Sequence, residues 1–361
     1  MLLEEQQLLV EEEVKNARNS LTTDKLDMSY GEIVSMYQRG DLIVSPEFQR
    51  LFRWDEDQKT RFIESLLLGI PIPPIFVAED KSGRWELVDG LQRVSTILSF
   101  FGELTELPEK NNWKLIEGNL IRNFDNMNFL ELPSLFQRNL RRTYCRVEIL
   151  KWDSQYDMRY ELFNRLNTGG SSLTEQEIRN CIFRGYSSEF NEFLERISNN
   201  NKFIELMYLS EQKTLEIYAQ ELVLRIVSLY NNWNDISTKK MSAHMTDFME
   251  KAVKNGFDYS IEDSLNDAIN VLYPLGFRIF RFNNGQLSTS LLDAIFINTM
   301  RHIDQFKKID TEEIKTVIEL LKNDDEFRKY TGSDSSSKNR IINRMKRAEA
   351  IFEEFLDERK N

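Results

Sequence analysis

The spacing of apolar positions changes several times along the chain, and each change marks an element. Residues 4–19 read as an exposed, partly helical lead-in bearing Glu11, Glu12 and Glu13. A short helix is predicted over 29–39 and closed by Gly40, and Leu42-Ile43-Val44 reads as a strand ahead of Pro46. Asp55, with Gln58 three residues on, forms a capping signature for a helix whose apolar stripe is Phe62, Ile63, Leu66 and Leu67. Gly69 supplies a left-handed stop, and the prolines from Pro71 to Pro74 lead into the strand Ile75-Phe76-Val77. Lys81-Ser82-Gly83 is a turn, and Arg84 to Val88 is the paired strand. Past Asp89-Gly90 the period becomes helical again, with Val94, Ile97, Leu98 and Phe101 on one face.

Residues 102–139 read as irregular with helix near their end, and 144–150 as another strand. A helix over 156–166 is broken by Asn167-Thr168-Gly169-Gly170. Thr174 and Glu177 then form a capping box, with Leu173 and Ile178 as its hydrophobic staple, for a helix ending near Gly185. From there on only helical periods remain, including 217–230, 288–306 and 338–355. The last carries the stripe Ile341, Ile342, Met345, Ala348, Ile351, Phe352 and Phe355, entered through the polar run 333–337. The predicted organisation is a helical lead-in (1–24), an α+β domain (25–185) and an all-α domain (186–361).

Composition narrows the function. The 361 residues are 41% hydrophobic and 29% charged, a globular mix with no apolar run of about 18 residues to span a membrane. The acidic start Met1-Leu2-Leu3-Glu4-Glu5 does not resemble a signal peptide, so a cytoplasmic location is expected. A net charge of −12 argues against general coating of nucleic acid and confines any DNA contact to a local patch. Arg138, Arg141, Arg142 and Arg146, around Tyr144, read either as such a patch or as a solvated face before a buried strand. Lys338, Arg340, Arg344 and Lys346 carry the same two readings. Cys145 and Cys181 are expected to be buried thiols, and His244 and His302 incidental helix residues.

The candidate chemistry lies at Asp89-Gly90-Leu91-Gln92-Arg93. A strand running into a helix there presents unpaired backbone N–H groups and the positive end of the helix dipole, which attract anions. Gly90 permits close approach to the backbone. Arg93 offers a planar fork for phosphate oxygens, Ser95 and Thr96 offer hydroxyls, and Asp89 can hold Mg²⁺ or position a water. The plainer reading is a hairpin-to-helix turn capped by Asp89.

Three ordered motifs add to this. They are Gln49-Arg50-Leu51-Phe52-Arg53-Trp54, then Val88-Asp89-Gly90-Leu91-Gln92-Arg93, then Phe163-Asn164-Arg165-Leu166-Asn167-Thr168-Gly169-Gly170 followed by Arg179-Asn180. Over roughly residues 25–200 the chain resembles the N-terminal domain of GmrSD-type restriction systems, in the ParB/sulfiredoxin-like superfamily, whose usual signature is Asp-Gly-Gln-Gln-Arg. Leu91 departs from that signature at its third position. The resemblance implies a ParB/sulfiredoxin-like mixed sheet and a nucleotide-binding, often NTP-hydrolysing, site in defence against foreign or modified DNA. Carried onto the matching positions, Asp89, Gly90, Gln92 and Arg93 form its centre, with Asp89 and Arg93 as the candidate catalytic pair and Asp89 as the candidate Mg²⁺ ligand. Phosphate contacts would come from Gln49, Arg50, Gly90, Gln92, Ser95, Thr96, Asn167, Thr168, Gly169, Gly170, Arg179 and Asn180. Read from the residues alone, Arg50 also fits a surface ion pair, Trp54 a packing anchor, and Asn167 to Gly170 either an anion nest or a plain helix-breaking loop.

Many such relatives carry a C-terminal His-metal nuclease domain, and the two separated histidines of this chain do not fit one. Nor is there a Walker-type loop or a zinc spacing. Three functions stand after the sequence. The first is a Mg²⁺-dependent NTPase controlling a defence response. The second is a nickase or nuclease using the same turn. The third is a nucleotide-gated sensor or scaffold for a partner effector subunit or a second copy of the chain.

Overall fold

The computed structural model describes residues 3–19, 22–44, 52, 54–152, 165, 174–184, 187–215, 217–236, 238, 240–283, 285–332 and 334–359. The chain divides into two compact units, Met1–Tyr186 and Ser187–Asn361. The first is an α+β domain and the second is helical.

In the first unit the order is α1 (Leu3–Asn19), β1 (Thr23–Ser29), α2 (Tyr30–Arg39), β2 (Leu42–Ile43), α3 (Glu56–Leu68), β3 (Ile75–Glu79), β4 (Trp85–Asp89) and α4 (Leu91–Phe101). Short 3₁₀ turns, including Pro108–Lys110, then lead to α5 (Ser134–Arg142), β5 (Tyr144–Leu150) and α6 (Glu175–Arg184). The strands form one five-stranded sheet in the order β1-β5-β3-β4-β2. β1 with β5 and β3 with β4 run antiparallel, while β3 with β5 and β2 with β4 run parallel.

Local chemistry explains most of these boundaries. Ser29 caps α2 by accepting from the Glu32 N–H, and Gly40 closes it in the left-handed region. Asp55 and Gln58 complete the capping box of α3. Ile33 and Val34 of α2, Phe62, Ile63 and Leu66 of α3, and Val94, Ile97 and Leu98 of α4 share one core with Ile75, Val77, Leu87, Val147 and Ile149 of the sheet. Leu91 packs against that core, so the departure from the glutamine signature is absorbed as packing. Of the predicted helix over 156–166 only Arg165 is described, in helical conformation, and the staple residue Leu173 lies outside the described residues.

β1 was not foreseen. Only Met28 of its seven residues is buried, so it carries no alternating apolar signal. It forms because its backbone pairs with β5 over the whole register from Thr23↔Leu150 to Ser29↔Tyr144. Cross-strand charges reinforce it, with Arg146 gripping Asp27 through Nε and Nη2 at 2.9 and 3.0 Å. The exposed charges of β1 also blunt the sheet edge against pairing with another chain.

The second unit comprises α7 (Ser188–Ser198), α8 (Asn201–Met207), α9 (Glu211–Leu215), α10 (Tyr218–Asn232), α11 (Met241–Asn255), α12 (Ile261–Leu272), α13 (Thr289–Arg301), α14 (Ile303–Phe306), α15 (Thr311–Asn323), α16 (Asp325–Lys329) and α17 (Lys338–Glu358). The helix predicted over 288–306 is two helices, broken at His302. Every residue of α13 from Ser290 to Met300 is buried, which marks it as the central helix of the unit. α17 buries Ile341, Met345, Ala348, Ile351 and Phe352 as predicted, but Arg344 joins them with no exposed surface. Arg344 is therefore not part of a basic face: it is drawn inward by Asp293, which α13 buries completely. No helix among the described residues is long and apolar enough to cross a membrane.

Candidate phosphate-binding turn

The β3–β4 hairpin delivers the turn. Its loop is closed by Asp80, whose Oδ1 accepts from the N–H groups of Ser82 and Arg84 at 2.8 and 3.0 Å. β4 then ends at Asp89, and Gly90 adopts φ +97°, ψ 13° before α4 begins. A Cβ on Gly90 would lie 2.5 Å from Ile75 Cγ2. The glycine is thus required twice, by its backbone conformation and by strand β3. The close approach at Gly90 is made by Ile75, which corrects the expectation that this space receives a ligand.

No side chain caps α4, so the reading of Asp89 as its cap does not hold. The first helical bond runs from Val94 N–H to the Gly90 carbonyl at 2.9 Å, which leaves the first-turn N–H groups without an intrahelical acceptor. Those groups and the dipole make this end of α4 attractive to an anion.

Arg93 was expected to grip phosphate. Its Nη1 instead donates to the carbonyls of Pro73 and Pro74, the latter at 2.9 Å, and its Nη2 donates to Asp89 Oδ2 at 2.9 Å. The Arg93 side chain is 12% exposed and that of Asp89 38%. Arg93 is thus a clasp that holds the helix start to the proline segment and orients Asp89. Among the described residues Asp89 Oδ1 has no hydrogen-bond partner, and the Asp89 side chain is the more exposed of the two. Gln92 is also engaged, its Oε1 accepting from the Trp54 N–H at 3.1 Å. Trp54 packs its ring edge-on against Phe62 at 5.5 Å, the packing anchor of the sequence reading.

Ser95 and Thr96 are completely buried, and their hydroxyls lack a hydrogen-bond partner. They follow the core face of α4, so the expected hydroxyl contacts to a ligand are not presented at the surface. Beneath the turn lie Tyr30 and Cys145. Burial pushes the Tyr30 hydroxyl up, and likewise the Cys145 thiol, while the nearby Arg93 charge pulls both the other way. Both cysteines are buried thiols, as anticipated.

The other expected contributors divide. Gln49, Arg50, Asn167, Thr168, Gly169 and Gly170 lie outside the described residues. Thr174 and Glu177 form the predicted box, with Thr174 N–H donating to Glu177 Oε2 at 2.7 Å. Arg179, with no side-chain exposure, donates to Gln176 Oε1 and Glu175 Oε2, both at 3.0 Å. Asn180 Oδ1 accepts from Gln176 Nε2 at 2.9 Å. Arg179, read from the sequence as a phosphate contact, is thus buried and engaged by Gln176 and Glu175 of α6. In the first basic stretch Arg138, Arg141, Arg142 and Arg146 are all exposed, with Arg141 lying over Phe101 at 4.8 Å and Arg146 paired with Asp27.

Sequence reasoning missed the partners of the clasp. Pro73-Pro74 carried a usable signal, because an extended proline segment has carbonyls with no internal acceptor role. Ile75 as the neighbour of Gly90, and the Trp54 N–H as the partner of Gln92, are tertiary facts with no local signature.

The scan against family models matches residues 30–184 to the GmrSD restriction endonuclease, N-terminal domain. This segment of the chain is similar to that domain. No curated protein and no solved structure matches the chain.

Proposed function

We propose that the chain is a restriction-system component whose α+β domain binds the phosphates of a nucleotide at the Asp89–Arg93 turn. The family match over 30–184 supports the restriction-related role. The observation that carries the nucleotide reading is the start of α4, without a side-chain cap, directly beside the partly exposed Asp89 carboxylate. Mg²⁺ fits this arrangement in one way. Among the described residues no group of three acidic, His or Cys side chains is placed to cage a metal. Mg²⁺ is commonly held by one or two carboxylates plus substrate phosphates, and Asp89 supplies one such oxygen. The ion would therefore arrive with the nucleotide. Hydrolysis belongs to the same reading as its finer step, with Asp89 holding the ion and Arg93 fixing Asp89. A cytoplasmic setting completes it.

The test is titration of the four NTPs with and without Mg²⁺ on wild type and Asp89→Asn, with phosphate release followed separately. Mg²⁺-dependent binding that Asp89→Asn abolishes supports the site, and equal binding by both proteins overturns it. Binding without phosphate release keeps the site and removes the hydrolytic step in favour of a nucleotide-gated sensor.

A further inference from the structure

A second group of cations gathers around Phe52 and Trp113. Lys59 of α3 places its Nζ 5.8 Å from the centre of the Phe52 ring and 4.7 Å from that of Trp113. Lys110, in the 3₁₀ turn Pro108–Lys110, places its Nζ 5.2 Å from the same Phe52 ring and donates to the Phe52 carbonyl at 3.3 Å. Two ammonium groups therefore share one aromatic ring. Among the described residues neither is ion-paired with a carboxylate, although the chain carries a net charge of −12.

The arrangement is held rigidly. Phe52 is buried, and Trp113 is anchored by its Nε1–H donating to Ser99 Oγ at 3.1 Å. Both lysines are half-buried. Burial pushes Lys59 below its ordinary value, Lys110 adds to that, and Glu56 and Asp55 oppose it from a distance. Two like charges, partly desolvated and confined to one ring, repel each other. Cation–π attraction offsets part of this, but a bound anion offsets more. Lysine ammonium groups act as point charges for phosphate.

We propose that Lys59 and Lys110 form a phosphate subsite, distinct from the Asp89 turn, that takes the phosphates of a nucleic-acid backbone or of a free nucleotide. Phe52 sits two residues from Trp54, whose N–H reaches Gln92 of the turn. The subsite does not rest on nucleotide binding at Asp89.

The test compares wild type with Lys59→Gln, Lys110→Gln and the double variant. Binding of a labelled single-stranded oligonucleotide and of a labelled nucleoside triphosphate is followed by anisotropy over a salt series. The double variant is expected to weaken one of these ligands about tenfold or more, and for the oligonucleotide to lower the salt slope by about 0.7 per lysine. Loss for the oligonucleotide alone assigns the backbone, and loss for the nucleotide alone assigns the free nucleotide. Loss for neither overturns the proposal. As a check independent of variant folding, reductive methylation of Lys59 and Lys110 in the wild type is read by mass spectrometry. Saturating ligand should slow methylation of both lysines, also in Asp89→Asn, and unchanged rates with bound ligand overturn the subsite. Without ligand the double variant should melt no lower than wild type. A lower melting point with unchanged binding means that the lysines only brace Phe52, and it too overturns the proposal.

Discussion

Each unit of this chain contains an aspartate gripped by arginine, and the two cases differ in burial. In the α+β unit, Arg93 holds Asp89 through one carboxylate oxygen, and Asp89 keeps 38% of its side chain exposed. In the helical unit, Asp293 has no exposure and is held by Arg225 at 2.6 and 2.8 Å and by Arg344 at 2.6 Å. The same ionic chemistry thus leaves one carboxylate with an oxygen to offer and uses up the other. Burial also sets the charge balance. One carboxylate cannot satisfy two guanidiniums: Asp293 holds Arg225 above its ordinary value against the pull of burial, whereas burial takes Arg344 down. An exposed pair is available for binding, and a fully buried triad serves packing and register.

The largest effect should come from Asp293. Asp293→Asn strands two buried guanidiniums and should destabilise the helical unit by about 3–5 kcal/mol in denaturant unfolding. A loss below about 1 kcal/mol would mean that water reaches the triad and that the contrast in burial does not hold. Acid supplies the same test without mutation. Burial works against the Asp293 carboxylate, yet Arg225 and Arg344 hold it below its ordinary 3.8. A lowered carboxylate stabilises the fold above its unfolded value and loses that contribution as pH falls through the folded one. The helical unit should therefore keep this stabilisation at pH 5 and lose it progressively below about 3.8, followed by circular dichroism.

Next comes Gly90→Ala, which meets both the positive φ and Ile75 and should cost the α+β unit about 2–3 kcal/mol. A neutral result in thermal unfolding would show that β3 can yield at the turn. The smallest stability effect belongs to Asp89→Asn, under about 1 kcal/mol for a partly exposed pair. That same substitution should weaken Mg²⁺-nucleotide binding by about tenfold or more, since a charged contact contributes at least about 1.4 kcal/mol. Little change in stability with a large change in binding is the signature that separates Asp89 from Asp293.

Much of this was written locally in the chain. Caps such as Ser29, Asp55 with Gln58, and Thr174 with Glu177 satisfy backbone groups within three residues, so their signatures need no distant partner. The core face of α4 and the stop at Gly69 follow from the same short-range rules. The Asp89–Arg93 turn was legible because a strand, a glycine and a helix start are adjacent in sequence. What each side chain does there was not. Arg93 as clasp, Gly90 as the seat of Ile75 and Gln92 as the acceptor for Trp54 depend on residues 15 to 38 positions away.

Sequence by itself therefore determined the α+β and helical halves, the capped helix starts and the position of the turn, because periodicity and capping act over a few residues. Tertiary structure alone decided that β1 joins the sheet through backbone pairing, that Arg344 is interior while Arg138 stays in water, and that Asp89 keeps a free oxygen where Asp293 has none. The reason is that desolvation depends on which distant surfaces close over a charge, and no local pattern of residue types encodes that.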